Sequence, residues 1–484
     1  MSPLKLRRSP MTDPLKLVAA LVLVILGTRF SAWGEETPRG GSKVFPYPVQ
    51  VTVLENGLKV VAVPFDNPGL VAYWTVVRAG SRNEIEPGKS GFAHFFEHMM
   101  FRGTDAYPRE RYNAILKELG ADHNAFTTDD YTAYHVLAPA SGLETIMTLE
   151  SDRFMNLKYT VEDFKKEAGA VLGEYNKNAS SPFQTLNEKI RDAAFTAHTY
   201  KHTTIGFLRD VKEMPNQYEY SLQFFDRYYR PENCALLVVG DVDPKRLVDL
   251  ARKFYGGWKR GSYQVEIPAE PQQTEEKRVE VDWPNPTQPY LDMGYHGPAF
   301  SDTQVDLPAL DLVSQLLFSE AAPLYQKLVV VEQEVDLLIG GAADHRDPYL
   351  FEIVARVKKP ERVAYVEATI TAALEDLKTK PIPADRLGKV KSHLKYSYAM
   401  GLDTAGSVAR SLAHYIALTS DPEAVNRVYA IYDRITPEDV RNAARRYFAR
   451  TGRTVVILSH KEGAPAGAQG GAGAMAAAAG VTAR

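Results

Sequence analysis

The segment that limits the fold of this chain more than any other is His94-Phe95-Phe96-Glu97-His98. Residues four apart on an α-helix lie one turn above each other, so the imidazoles of His94 and His98 project from one face, at a separation that one metal ion can bridge. Two imidazoles at this spacing are two ligands of a zinc site. Glu97 lies beside the same face, where its carboxylate is free to hold a water molecule rather than the ion.

A catalytic zinc site needs a third protein ligand and leaves a further position for water. Residues 160–176 have the pattern of an amphipathic helix that carries Glu167 and Glu174. These glutamates are seven residues apart, or two helical turns, so both carboxylates face the same way. Taken alone, such a pair is more often a solvated helix face than part of a metal site.

The combined pattern resembles the pitrilysin/insulinase family of zinc metalloproteases, the inverzincins, because the histidine motif is followed by a distant glutamate, Glu174, with Glu167 before it. The resemblance implies one Zn²⁺ per chain, held by His94, His98 and Glu174. It implies that Glu97 is the catalytic residue that activates water. It also assigns to Glu167 a supporting role behind the metal ligands.

A second segment, residues 120–135, alternates as a β-strand does and is similar to the edge strand of the same family. The resemblance assigns substrate binding to Asn124 and Ala125 in this strand. An edge beside a metal suits peptides, because unpaired backbone N–H and C=O groups can hold an extended chain. Further landmarks of the family are matched by residues 198–206 and 228–243, and the similarity extends over about residues 45–460.

A faint internal repeat relates residues 227–240 to residues 446–459. The length of the chain also exceeds what one ordinary core can organise, which predicts two domains. Two copies of one α+β unit fit this spacing. The expected fold class is therefore α+β in two homologous halves, and the resemblance implies that these halves are α/β sandwiches of the type found in mitochondrial processing peptidase.

The repeat assigns the metal to the first half. In the second half, the positions that correspond to His94, Glu97 and His98 are occupied by Val313, Leu316 and Leu317, which offer no ligand. The expected organisation is a signal peptide (1–34), an N-terminal catalytic zinc domain (45–262), a linker (263–278), a homologous C-terminal domain without a metal site (279–461) and a disordered Gly/Ala-rich tail (462–484).

The N-terminal segment predicts export to the periplasm, or secretion. Basic residues precede an apolar run at 17–27, and Ala32-Trp33-Gly34 offers a small-x-small cleavage pattern. The run is short for a membrane span, so none is expected after cleavage, although an uncleaved anchor and a start at Met11 are alternatives. Removal of residues 1–34, which carry five basic and one acidic side chain, changes the formal charge from −3 to −7. This balance gives no reason to expect nucleic acid binding.

The second half departs from the family at two positions. The family typically carries an Arg there and a Tyr seven residues later, which grip the substrate. The matching positions are Val329 and Asp336, and neither side chain can donate as Arg and Tyr do. Some shorter members divide the work between two chains, as in mitochondrial processing peptidase and paired bacterial proteases. The resemblance therefore implies a catalytic subunit that pairs with a paralogous non-catalytic subunit supplying the Arg/Tyr pair.

The sequence thus predicts a zinc-dependent endopeptidase acting on peptides or unfolded polypeptides, as one subunit of a heterodimer. One alternative is a non-catalytic assembly or scaffold subunit of the same fold, which the complete set of metal ligands disfavours. Another is a zinc hydrolase of non-peptide substrates, which the peptide-pairing strand around Asn124 disfavours.

Overall fold

The computed structural model describes residues 43–460, so the predicted signal peptide and tail lie outside the described residues. The strands in this range are β1 (Gln50–Val53), β2 (Lys59–Pro64), β3 (Leu70–Val77), β4 (Asp122–Thr127), β5 (Thr132–Pro139), β6 (Cys234–Gly240), β7 (Lys277–Asp282), β8 (Tyr290–His296), β9 (Val335–Ala342), β10 (Leu350–Val357) and β11 (Arg453–Ser459). The helices are α1 (Phe92–Met99), α2 (Arg109–Glu118), α3 (Leu143–Asn156), α4 (Val161–Asn178), α5 (Pro182–Ala194), α6 (Leu208–Glu213), α7 (Tyr218–Tyr228), α8 (Pro244–Tyr255), α9 (Asp306–Phe318), α10 (Pro323–Tyr325, continued by π-helical Gln326–Val331), α11 (Val363–Thr379), α12 (Ala384–Met400), α13 (Ala405–Thr419), α14 (Ala424–Arg434) and α15 (Pro437–Tyr447). Between residues 43 and 460, every helix is too short or too polar to cross a lipid bilayer.

The strands form two sheets with the same plan. The first has the order β1-β2-β6-β3-β5-β4, and the second has the order β7-β11-β8-β10-β9. The pairs β2·β6 and β7·β11 are parallel, and the other neighbours are antiparallel. Strand β4 lies at an edge of the first sheet, as β9 does in the second.

The internal repeat is visible in the positions of the elements. Helix α7 begins at Tyr218 and β6 at Cys234, and their counterparts α15 and β11 begin at Pro437 and Arg453, so both elements keep the same offset. Each of these pairs is a helix followed by a fully or largely buried strand in the interior of its sheet. The prediction of two homologous α/β-sandwich halves is confirmed.

The two halves exchange a helix. Helix α13 of the second half packs on β3 and β6 of the first sheet, and α5 of the first half packs on β8 and β11 of the second sheet. Leu412 and Ile416 of α13 therefore share a core with Trp74, and Ile190 of α5 shares a core with Val456. Because a sheet face must be covered by apolar side chains, neither half buries its own apolar surface alone.

The segment between the two sheets contains no helix or strand over residues 263–276, and β7 begins at Lys277. It is nevertheless fastened to both halves. The carboxylate of Glu270 accepts hydrogen bonds from the backbone N–H groups of residues 196–198, each at 2.8 Å. Gln273 Nε2 donates to the backbone oxygens of Thr451 and Arg453 at 3.2 and 2.9 Å. The exact domain boundaries stay a prediction.

Residues 120–135, whose alternation indicated one strand, form parts of two strands joined by a tight turn. Asp129 in this turn accepts a hydrogen bond from Arg191 at 2.8 Å and lies 3.0 Å from His345 Nε2 of the second half. Asp130 accepts one from the Tyr200 hydroxyl at 2.8 Å. These buried acids satisfy their charges across the junction of the halves, which fixes the turn and the edge strand before it.

Candidate metal centre and active site

Helix α1 divides its side chains between the core and a polar face. Phe92, Phe95, Phe96 and Met99 are fully buried in the first hydrophobic layer. The other face is turned towards β4 and α4, which both contact α1. The imidazole rings of His94 and His98 lie on it with their centres 4.7 Å apart.

The start of α1 is held by Glu84, which sequence analysis did not single out. Its buried carboxylate accepts hydrogen bonds from the backbone N–H groups of Gly91 and Ala93, at 2.6 and 2.7 Å. Such an acceptor satisfies donors that a helix leaves free in its first turn. Gly206, in one of the family landmarks, has a φ of +85°, and a Cβ there would lie 2.6 Å from the carbonyl carbon of Ser90. The landmark therefore supports the loop that leads into α1.

The third potential ligand arrives from α4, whose N-terminus is fixed by Thr160 Oγ1 accepting from the Asp163 N–H at 3.1 Å. Glu174 Oε2 lies 3.6 Å from His94 Nε2 and 3.5 Å from His98 Nε2. Two turns earlier, Glu167 lies on the same side of α4, behind His98.

This donor set fits a zinc ion. One ligand atom each of His94, His98 and Glu174 lies within 4.8 Å of the other two. Ligands of a tetrahedral zinc lie about 3.3 Å from each other, given metal–ligand distances of about 2.0–2.2 Å. Among residues 43–460, this is the group of three His, Cys, Asp or Glu side chains that is close enough to share an ion. Two neutral imidazoles and a carboxylate are a donor set typical of catalytic zinc.

The neutral state of His94 and the tautomer of His98 also suit a metal. Burial lowers the pKa of His94 to about 3, so its imidazole is neutral at physiological pH. His98 Nδ1 lies 2.9 Å from Glu167 Oε1, and this hydrogen bond raises the pKa of His98. When Nδ1–H donates to Glu167, the lone pair of His98 resides on Nε2, the atom that faces Glu174.

Arg102 completes this arrangement, and sequence analysis missed it. Its Nε donates to Glu167 Oε2 at 2.7 Å, and its Nη2 contacts the same oxygen. Burial alone would raise the pKa of Glu167, but the hydrogen bonds from His98 and Arg102 lower it to about 2. Arg102 follows His98 by four residues, yet α1 ends at Met99, so the spacing alone did not indicate that the two side chains share a partner.

Replacement of Arg102 by Met is expected to weaken zinc binding by about tenfold, because Glu167 would lose the cation that orients it behind His98. Zinc affinity can be measured by competition with a chromophoric chelator. The variant Arg102→Lys keeps a donor and should recover part of the affinity, whereas Lys117→Met, an exposed change on α2, should have no effect. Equal zinc affinities for Arg102→Met and the unmodified chain would contradict this role.

Glu97 lies next to the donor set without belonging to it. Its Oε2 accepts a hydrogen bond from Thr127 Oγ1 of β4 at 2.7 Å. Burial raises the pKa of Glu97, and the Thr127 hydrogen bond opposes that rise. A half-buried carboxylate held by a hydroxyl donor, beside a metal site, can accept a proton from water and return it.

Asn124 and Ala125 have different surroundings. Asn124 is exposed and lines the cleft next to Glu97 and His98. Ala125 is 6% exposed and its side chain belongs to the core, so any contact with a substrate would come from its backbone. Both residues pair with β5 on one side, and the other side of β4 has no neighbouring strand in the sheet that residues 43–460 form.

The site opens into a cleft of about 360 Å³. Its walls come from α1, α2, β4 and α4, and its lining residues are Glu97, His98, Phe101, Arg102, Arg109, Asn113, His123, Asn124 and Glu167. The side chain of Glu174 is 40% exposed. His98 of the donor set lines this cleft, so the set can be reached from it.

Two family descriptions match the sequence. "Insulinase (Peptidase family M16)" matches residues 60–206, and "Peptidase M16 inactive domain" matches residues 217–394. The two ranges together span more than half of the chain. The first contains every residue of the donor set, and the second includes β7–β10 of the second sheet.

Known proteins resemble the chain over most of its length. It is 28% identical over 415 residues to "Zinc protease PqqE" of Helicobacter pylori, across 84% of this chain and 91% of that protein. A crystal structure of a protease from Helicobacter pylori has a TM-score of 0.80 and 27% identity, covering 85% of this chain and 99% of that one. The periplasmic protease PqqL from Escherichia coli, at 18% identity, shares the fold with a TM-score of 0.71, covering 88% of this chain and 48% of that one.

Proposed function

The chain belongs to the insulinase family, peptidase family M16, and from this premise we propose that it is a zinc-dependent endopeptidase of peptides or unfolded polypeptides. The observation that carries the proposal is the convergence of His94, His98 and Glu174 from two helices, with Glu97 beside them. Relatives of this chain are named zinc proteases, which fits that donor set.

His94, His98 and Glu174 would hold the ion, and Glu167 with Arg102 would keep His98 in its orientation. Zinc, when bound, would make a water molecule more acidic and polarise a carbonyl oxygen. Glu97 accepts the proton of the attacking water and returns it to the leaving amine. Thr127 keeps the Glu97 carboxylate at the wall of the cleft.

The peptide would bind along β4. Because one side of this strand is unpaired within residues 43–460, its backbone N–H and C=O groups can add an extended peptide as a further strand. Asn124 would contact the peptide from the exposed face of the strand. This arrangement requires an extended substrate, which favours short or unfolded chains over folded proteins.

The proposed active form is a heterodimer with a paralogous subunit that supplies an Arg/Tyr pair. Val329 is aliphatic, and Asp336 accepts hydrogen bonds from Arg356 Nε and Nη2 at 2.7 and 3.0 Å. Neither residue can donate to a substrate carbonyl.

The test combines zinc determination with hydrolysis of an internally quenched unstructured peptide, using the chain alone and the chain mixed with the paralogous subunit. One zinc per chain and full activity only in the mixture are expected, and activity should be lost with a chelator and restored by zinc. Full activity of the lone chain would contradict the heterodimer. Zinc binding without hydrolysis in either form would favour the non-catalytic scaffold, and hydrolysis of small esters in preference to peptides would favour a non-peptide hydrolase.

We further propose that the chain acts in the periplasm. The N-terminal basic residues, apolar run and small-x-small pattern support export, and the structurally similar PqqL is described as periplasmic. Fractionation of cells that express the full chain should place it with periplasmic markers and show a size consistent with loss of residues 1–34.

A further inference from the structure

One cation in the cleft is not used by the proposed catalytic machinery. Arg102 is paired with Glu167, whereas Arg109 lines the same cleft and its guanidinium forms no hydrogen bond or ion pair with another residue of the described range 43–460. Arg109 is exposed at the first turn of α2. A guanidinium has five N–H donors, so an unpaired one at the wall of a cleft favours an anionic ligand.

A second polar group lies beside it. Asn113 follows Arg109 by four residues on α2, which places both side chains on one face of the helix, and both line the cleft. The other stripe of α2 contains buried Tyr112 and Leu116, which anchor the helix in the core. The polar face of α2 is thus held rigidly towards the site.

The titratable groups on the other walls of the cleft do not pair with Arg109. His123 of β4 packs its ring 5.9 Å from the rings of both Phe101 and Tyr112. Burial lowers the pKa of His123, which keeps it uncharged. The carboxylates that line the cleft are those of Glu97 and Glu167. Thr127 holds the first, and His98 with Arg102 holds the second.

The geometry of strand addition directs a substrate side chain towards this position. Side chains alternate across a sheet, so every second residue of a peptide added to β4 points to the face that carries His123, Ala125 and Thr127. Thr127 on this face reaches Glu97 of α1, which shows that the face is turned towards the site. A side chain on that face of the peptide therefore enters the cleft that Arg109 and Asn113 line.

We propose that Arg109 and Asn113 form a subsite that selects an acidic side chain at one fixed position of the peptide relative to the cleaved bond. The inference rests on the proposed function, since it names the substrate class of the same site. The guanidinium of Arg109 would pair with the acid, and Asn113 would donate a second hydrogen bond to it. A cleft of about 360 Å³ accommodates an Asp or Glu side chain together with the adjoining backbone.

The experiment uses labelled unstructured decapeptides in which a single Glu or Gln is moved through every position. Binding to the zinc-loaded Glu97→Gln chain is measured by fluorescence anisotropy, and cleavage is measured with the unmodified chain in the assembly that cleaves peptides. At one position the Glu peptide should bind about tenfold more tightly than the Gln peptide. Arg109→Gln should abolish this preference, and Arg109→Glu should transfer it to a Lys peptide.

Arg111→Gln is the matched control. Arg111 lies on the same helix and carries the same charge, but its Nη1 donates to the backbone oxygen of Ala106 at 3.2 Å and it does not line the cleft. It should keep the full preference for Glu. Equal binding of Glu and Gln peptides at every position, persistence of the preference in Arg109→Gln, or no peptide binding at all would overturn the subsite.

The two proposals fail in different ways. Cleavage by the unmodified chain, alone or with its partner, with no preference for an acid would remove the subsite and leave the endopeptidase assignment intact. The endopeptidase assignment would fail, and the acid-binding subsite would remain, if binding showed a clear Arg109-dependent preference but the zinc-loaded chain cleaved no peptide, alone or with its partner.

Discussion

Replacement of Glu97 by Gln is expected to lower kcat/KM for peptide hydrolysis by about a thousandfold, while the zinc content stays at one ion per chain. Gln has the same shape and its amide oxygen can still accept the hydrogen bond from Thr127. It cannot take a proton from water at neutral pH. Because Glu97 is outside the group of metal donors, the substitution should not change the zinc content.

The measurement compares hydrolysis of a quenched peptide, in the assembly that cleaves it, with zinc determined by mass spectrometry after dialysis. Glu118→Gln provides a control, since Glu118 is an exposed acid at the end of α2 and does not line the cleft. That variant should retain both activity and zinc. A Glu97→Gln protein that turns over peptide at a near-normal rate would move the proton-transfer role to another group.

The sequence was sufficient to predict the parts of the site whose spacing is local. His94 and His98 are one helical turn apart, and their relation follows from helix geometry alone. Glu167 and Glu174 are two turns apart on α4, so their shared direction could also be predicted. That α4 packs against α1 could not be derived from either helix, and it entered only through the resemblance to a known family.

The residues that position the metal ligands and Glu97 were harder to predict from the sequence. Glu84 reaches the first turn of α1 through space, and Arg102 lies beyond the end of that helix. Their contacts depend on turns whose direction no periodicity encodes. Thr127 stands three residues after Asn124 in the edge strand, where alternation does place it on the face opposite to Asn124. Which of the two faces is turned towards α1 is a property of the packed structure.

At the level of the fold, the internal repeat predicted which elements of the two halves correspond. It did not predict which sheet each helix covers. The offset between the two copies correctly related α7 and β6 to α15 and β11. The exchange of α5 and α13 between the halves has no signal in the repeat, because an amphipathic helix has the same pattern whichever sheet it covers. The turn at Asp129 was missed because its acids are stabilised by partners far away in sequence, such as Arg191 and His345.

Replacement of Glu174 by Gln is expected to weaken zinc binding by more than about a hundredfold, a larger loss than removal of a supporting residue such as Arg102 causes. A neutral amide offers less charge to a dication than a carboxylate does. His94 and His98 would remain as a two-imidazole site, which a catalytic zinc ion does not use by itself. Peptide hydrolysis at limiting zinc should fall in parallel and recover partly when zinc is raised.

Zinc affinity, measured by competition with a chelator, separates this effect from a change in folding. Glu174 is partly exposed, and within residues 43–460 its carboxylate meets the two imidazoles only at 3.5 and 3.6 Å, so Glu174→Gln should change the melting temperature of the metal-free chain little. Glu162→Gln, an exposed substitution in the first turn of α4, serves as the control for removing one charge from the same helix. Unchanged zinc affinity in Glu174→Gln would show that α4 does not supply the third ligand.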